Sequence, residues 1–469
     1  ISNDITGYQI ESQKSAGESV TVRTSDAGSA EKTGILDWFR NLFFGDRKAK
    51  TVESGQQPLQ EASANSPGTF SFSDPKIASQ INALGPGQQF VLTLANGETF
   101  TVEVTKITSS FEDNQAIYGK LLPEDLGSSV ILVSGPEGLY GKIFLSDVIY
   151  TIHSDGAVEE VDSTSLDDEL VYEGDTLASP PLDESQIPDP GICDSVDFID
   201  VMMLYTPEAK NVIGGEQYIL EEVILAVELA NDALANTEIP TRLRIAHIQE
   251  IDYSEAPPGT YTTLSTYLNQ LTDSDDGFMD EVQSLRDQYG ADLVQLIVAG
   301  NGTVQCGITW AANPSNFWTT YSELAYSVVK LPCAVNGFTT AHEFGHNSGS
   351  GHEYAWGCAF TPFPYQCGYR WAGQSGNNWK TVMAISSGYQ RITQFSNPDI
   401  IYDGVPTGIP AGQLHQADNF LGFSNTAEVL ANFRCSVIPE CDDSSDNDGD
   451  GSIDLDDYGC VSQIDASEK

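Results

Sequence analysis

The segment TTAHEFGHNSGSGHE (339–353) decides the reading of this chain. His342 and His346 stand four residues apart, a spacing that puts both imidazoles on one face of a helix at adjacent turns. Two neutral imidazoles favour a borderline-soft divalent metal, and zinc accepts a tetrahedral set of three protein ligands plus one water. His352 is the third candidate ligand. On a continuing helix it would lie roughly 9 Å beyond His346 along the axis, so the chain must turn back. Gly349 supplies the turn, because glycine takes positive φ without a Cβ clash, and Gly351 adds local freedom. Glu343, directly after the first histidine, is placed to take a proton from metal-activated water and to pass it to a leaving amine. A bare H-E-x-x-H arises by chance, but here Gly349 and His352 extend it. The string therefore predicts metal-assisted hydrolysis.

Upstream, strand and helix patterns alternate: FIDVMMLYT (198–206), a helix near 215–236, TRLRIAHIQEI (241–251), a helix near 277–289, and ADLVQLIVA (291–299). The alternation predicts an α/β domain over 193–436. Residues 67–174 read differently. Runs such as FVLTLANGETFTVEVTKI (90–107), SSVILVSGPEGLYGKIFL (128–145) and VIYTIHSDGAVEEV (148–161) have period two with Gly, Asn and Asp turns, which predicts an all-β domain. Between the two, the proline-rich acidic stretch DTLASPPLDESQIPDPG opens a linker over 175–192. Residues 1–66 read as a flexible leader interrupted by the apolar patch Ile35–Phe44.

Residues 437–469 form an acidic tail. In DNDGDGSIDLDD (446–457), Asp446, Asp448, Asp450, Asp454 and Asp457 fall at loop positions 1, 3, 5, 9 and 12, with Gly451 at position 6 for the sharp turn. That pattern makes the tail a calcium-loop candidate; a merely solvated acidic tail is the other reading.

The 469 residues carry 21 Lys plus Arg against 68 Asp plus Glu, a formal net charge of -47. Nucleic acid and anionic membranes would be repelled, and solubility is the simplest use of the charge. No apolar run reaches the length of a membrane span. The chain starts at Ile1, and the expectation is export with a signal peptide already removed. Eight cysteines, all from Cys193 onward, predict disulfides and an oxidising, extracellular compartment. Cys358 with Cys367 and Cys441 with Cys460 are the expected local pairs, and Cys435 is expected to join Cys306 or Cys333. Cys193 is read as a disulfide partner, with a thiolate zinc ligand of a latent state as its alternative. His153, His247 and His415 are read as structural.

The whole string His342 to His352, followed by Met383 in TVMAISSG, resembles the metzincin metallopeptidases, in which such a methionine forms a Met-turn beneath the histidines. IDVMMLYTPEAKN (199–211), YGADLVQLI (289–297), CGITW (306–310) and RITQFSNP (391–398) look reprolysin-like. The chain is most similar to bacterial peptidyl-Asp metallopeptidases over residues 85–435. Glu353 stands where reprolysins usually carry Asp, and Ile385 stands where astacins place a tyrosine ligand. The resemblance implies a mixed twisted sheet, an active-site helix, one zinc and an N-terminal propeptide. It also implies that CGITW forms the edge strand on which an extended protein substrate pairs.

A β domain and linker ahead of a protease domain suggest an inhibitory propeptide, or else a permanent accessory domain. There is no Lys or Arg between Lys142 and Lys210, so a trypsin-like enzyme could not cut the linker. Asp183, Asp189 and Asp194 make self-cleavage the expectation. A secreted adhesin with a structural zinc and an aminopeptidase are the rival readings.

Overall fold

The computed structural model describes residues 68–437 except 72–76, 112–113, 124–125, 136–137, 146–147, 163–175, 178–192, 258–262, 301–302, 304, 354–357 and 359–360. The leader, most of the linker, the Cys441 and Cys460 pair and the calcium-loop aspartates Asp446, Asp448, Asp450, Asp454 and Asp457 lie outside the described residues.

The β-rich segment forms an eight-stranded sheet in simple sequence order. Its strands are β1 (Gly68–Ser71), β2 (Gln89–Thr93), β3 (Thr99–Ser109), β4 (Gln115–Leu122), β5 (Ser129–Gly135), β6 (Gly138–Phe144), β7 (Val148–Ile152) and β8 (Val158–Asp162). All neighbouring pairs are antiparallel except β1 with β2. A short helix, α1 (Ile77–Asn82), which the period-two reading passed over, buries Ile77 and Ile81 against it. Strand β5 is apolar at consecutive positions rather than alternate ones, and both of its faces are covered. Val130 and Leu132 join the sheet's own core, while Ile131 and Val133 join the core of the following α/β region.

That region has a six-stranded sheet in the order β11-β10-β12-β14-β13-β9. Strands β10 (Phe198–Tyr205), β11 (Arg242–Glu250), β12 (Leu293–Val298) and β14 (Tyr326–Lys330) are parallel, and β13 (Gly307–Trp310) runs antiparallel to β14. β10 and β12 are buried almost throughout, as interior parallel strands require. Helix α2 (Pro207–Ile213) starts from Thr206, whose side chain caps the Ala209 amide, with Pro207 at its first turn. Helix α3 (Glu216–Asn236) is the long helix expected near 215–236. Helix α4 (Leu264–Thr272) was not anticipated, and the expected helix near 277–289 shrinks to α5 (Val282–Gln288). Then come α6 (Leu331–Ala334), α7 (Thr339–Asn347) and α8 (Asn419–Leu430), with a small sheet of β15 (Arg370–Ala372), β16 (Asn378–Lys380) and β17 (Gln390–Arg391).

Two expectations need correction. The CGITW strand is not a free edge: Thr176–Leu177, strand β9, pairs parallel to it at Thr309 and Trp310. An extended edge offers unpaired backbone groups, so even a proline-rich linker supplies two residues to meet them. Cys435 bonds Cys193, leaving Cys306 to pair with Cys333, while Cys358 pairs with Cys367 as expected. Asn432 explains why the distant pair meets: its Oδ1 accepts from the amides of Cys193 and Asp194, which brings the two ends of the α/β region together.

From Ser66 onward the chain clusters as one unit, so the eight-stranded sheet and the α/β region share a core. Tyr118, Val133, Tyr140 and Phe144 pack into the same cluster as Val223, Ile224 and Val227 of α3.

Candidate metal centre

Every residue of α7 is buried, and it is packed against α3 on one side and β13 and β14 on the other. Thr340 donates to Gln295 of β12, and Asn347 donates to the hydroxyl of Tyr321, which donates to the Trp310 carbonyl. Burial pushes the Tyr321 phenol well above its ordinary pKa, so it keeps its proton and its donor role. The helix is thereby fixed in rotation against the sheet at both ends.

The helix stops where the sequence places a glycine. Gly349 has φ +87, its amide donates to the His346 carbonyl at 2.9 Å, and the Ser350 amide donates to Gly345 at 2.9 Å. A Cβ at Gly349 would also press on the Pro362 ring at 2.8 Å. The reversal carries His352 back to the two helical histidines.

His342, His346 and His352 are all buried, and their ligand atoms lie within 4.8 Å of one another. Nε2 of His346 is 3.1 Å from Nε2 of His342 and 3.1 Å from Nε2 of His352. The outward nitrogens of the helical pair face carbonyls: Nδ1 of His342 lies 2.9 Å from the Val382 oxygen and Nδ1 of His346 lies 2.8 Å from the Ser350 oxygen. A carbonyl can only accept, so Nδ1 carries the proton and Nε2 turns a lone pair inward. Two nitrogens held at about 2.0–2.1 Å by a tetrahedral zinc stand about 3.3 Å apart, close to what the side chains already adopt. The donor set fits zinc. Among the described residues this is the one cluster of metal-ligating side chains.

Glu343 is buried as well, with its carboxylate beside Gly307 at the start of β13. A Cβ at Gly307 would collide with its carboxylate and stand 2.7 Å from the Thr339 methyl. Gly307 is therefore required for the Glu343 position, a role no local sequence signal announced. Met383 is fully buried under α7, and a Cβ at Gly345 would run into its sulfur. The turn around it is tied on three sides. The Ala384 amide donates to Thr381, Glu353 accepts from the amides of Ile385 and Ser386 at 2.9 and 3.2 Å, and Arg391 donates to the Ala384 carbonyl at 2.9 Å. Glu353, noted in the sequence only as a departure from reprolysins, thus joins the last histidine to the methionine turn.

The other histidines sit elsewhere. His153 stacks on Tyr218 and its Nδ1 is 3.1 Å from Glu221, and His247 stacks on Tyr289 beside Gln249.

Residues 197–396 match the metallo-peptidase family M12 model, and residues 76–166 match the BamI lipocalin-like domain. A peptidyl-Asp metalloendopeptidase of Stenotrophomonas maltophilia is 30% identical over 328 residues, covering 66% of this chain and 72% of that protein. The chain belongs to the peptidyl-Asp metalloendopeptidase family. A second member, from Xanthomonas campestris, is 28% identical over 407 residues, covering 83% of this chain and 91% of its own. This metalloendopeptidase is accordingly a metzincin-like zinc metallopeptidase. No helix among its described residues is long and apolar enough to cross a membrane.

Proposed function

We propose that the chain is a secreted zinc endopeptidase in which His342, His346 and His352 hold the metal and Glu343 is the general base. The observation that carries this reading is the convergence of three buried Nε2 atoms, two of them 3.1 Å from the third, at the end of a helix that also presents a glutamate. Zinc bound there supplies a Lewis acid that polarises a scissile carbonyl and activates water at neutral pH. The carboxylate of Glu343 takes the proton from the attacking water and delivers it to the amine leaving group. His342 and His346 keep their tautomers through the Val382 and Ser350 carbonyls. Met383 serves as the Met-turn, a packed floor under the imidazoles. Cleavage next to aspartate is the preference that the names of the relatives suggest.

The zymogen reading has a backbone observation behind it. Strand β9 belongs to the segment that joins the β domain to the protease domain, and it takes hydrogen-bonding positions on β13 that an extended substrate would need. The N-terminal β domain with its linker then acts as the inhibitor, and cutting the linker frees the edge. The three disulfides among the described residues support export to an oxidising compartment.

The test compares the full chain, the same chain nicked by mild proteolysis, and Glu343→Gln, each assayed for zinc content and for cleavage of an unstructured protein. One zinc per chain, activity raised by nicking, and a Glu343→Gln protein that binds zinc but neither cleaves nor matures are expected. Zinc bound without cleavage in any form would overturn the catalytic assignment, and maturation of pure Glu343→Gln would overturn self-processing.

A further inference from the structure

Helix α7 rises from a turn that is unfavourable in itself. Phe338 occupies its N-cap position at φ +56 with no side-chain cap bond, a left-handed conformation that a residue with a Cβ avoids. The first helical hydrogen bond runs from the His342 amide to the Phe338 carbonyl at 3.0 Å, so the setting of Phe338 sets the start of the metal-site helix.

The three residues 336–338 are gripped from two sides. On one side stands β6 of the β domain. Lys142 is 2% exposed, and its ammonium lies 3.0 Å from Glu222 of α3 and donates to the Asn336 side chain at 2.8 Å. Two residues further on, on the same face of β6, the Phe144 ring stands 5.3 Å from the Phe338 ring. On the other side Arg391 donates to the Gly337 carbonyl at 2.7 Å while its second arm holds the Ala384 carbonyl, next to Met383. A buried ammonium is tolerated only where its partners are fixed, so Lys142 is a rigid contact rather than a loose one.

We infer that β6 is a positioning element of the metal centre: Lys142 and Phe144 hold the turn at Asn336–Phe338 in the conformation that aims His342 and Glu343. The inference rests on the reading of the three histidines as the zinc site. It gives the β domain a role separate from that of the linker strand β9 on β13, because the contact is with the turn that starts α7. Lys142 and Phe144 are positioning residues that touch neither metal nor substrate.

The full-length chain is titrated with zinc in competition with a chromophoric chelator, well below the melting temperature, and melted in parallel without metal. Phe144→Ala and the double variant K142M/E222Q, which leaves no unpaired buried carboxylate, are each expected to weaken zinc binding about tenfold or more. Phe144→Leu should recover most of the loss. A merely structural contact would lower the melting temperature and leave zinc affinity alone. Zinc affinity within twofold of the unaltered chain in both Phe144→Ala and K142M/E222Q overturns the inference. Should Phe144→Ala not fold, Phe144→Leu and K142M/E222Q decide: affinity weakened at least threefold in K142M/E222Q supports it, and affinity unchanged in both overturns it. His346→Ala is the reference. If it keeps one tightly bound zinc, the zinc-site reading has failed; if it loses zinc while the β6 variants keep theirs, only the present inference has.

Discussion

Helices α3 and α7 lie against each other, both almost wholly buried, and both carry charged or titratable side chains inside the protein. On α3 each buried carboxylate meets its own partner. Glu221 faces His153 at 3.1 Å, Glu222 faces Lys142 at 3.0 Å, and Glu228 accepts from Tyr118 at 2.5 Å and Ser110 at 2.7 Å. All these partners come from the β domain. On α7 the imidazoles instead turn toward one another around a shared point. Pairwise satisfaction marks an interface, whereas convergence of like lone pairs marks a place for a cation.

Substitutions should separate the two helices. The largest effect is expected for His346→Ala, which should abolish zinc binding and lower cleavage by at least about a thousandfold with the fold retained, as read by metal analysis, assay and circular dichroism. Glu343→Gln should keep one zinc and lose about 10²–10⁴ in kcat. Gly307→Ala pushes the Glu343 carboxylate aside and should cost about tenfold to a hundredfold in kcat with zinc content unchanged. At Glu228 of α3, away from the Lys142 contact, the readout changes from rate to stability. Glu228→Ala removes the buried carboxylate that Tyr118 and Ser110 donate to and should cost about 3 kcal/mol in denaturant unfolding while zinc binding stays intact. A loss of zinc in that variant would blur the distinction between the helices.

The smallest effect concerns pH. Burial pushes Asp232, also on α3, up to about 7, against the opposing pull of Asn236 and Lys106. Its folded pKa lies above its unfolded value of about 3.9, so between those limits the native state binds the extra proton and stability falls as pH rises. Above the folded pKa the loss is complete. Asp232→Asn should therefore melt closer to the unaltered chain at pH 5 than at pH 8, where it should be the more stable of the two.

The centre of the site was legible because it is local. Histidines four positions apart, a glycine after the second and a third histidine beyond it are read without knowing what lies across the fold. The strands β10, β11 and β12 were legible for the same reason: each carries an unbroken run of apolar or alternating residues. Helix α4 was also written in the chain, since Leu264, Tyr267, Leu268 and Leu271 repeat at helical spacing, but its polar surroundings drew the expected helix downstream. What stayed hidden depends on distant neighbours. Gly307 matters through Glu343, Arg391 through Gly337 and Ala384, and Cys435 through Cys193, and no local pattern connects those positions.

The bond between Cys193 and Cys435 spans 242 positions. It fastens the first described residue after the linker to the stretch that follows α8, so the α/β region is closed into a ring that begins at the edge of the linker. By loop-closure entropy alone such a ring disfavours the unfolded chain by about 5 kcal/mol. For a molecule that hydrolyses polypeptides, the frayed end is the natural place for digestion by a sister copy to begin. A cut ahead of Cys193 would leave a new terminus already moored to Cys435, a few residues from β10, an interior strand of the sheet.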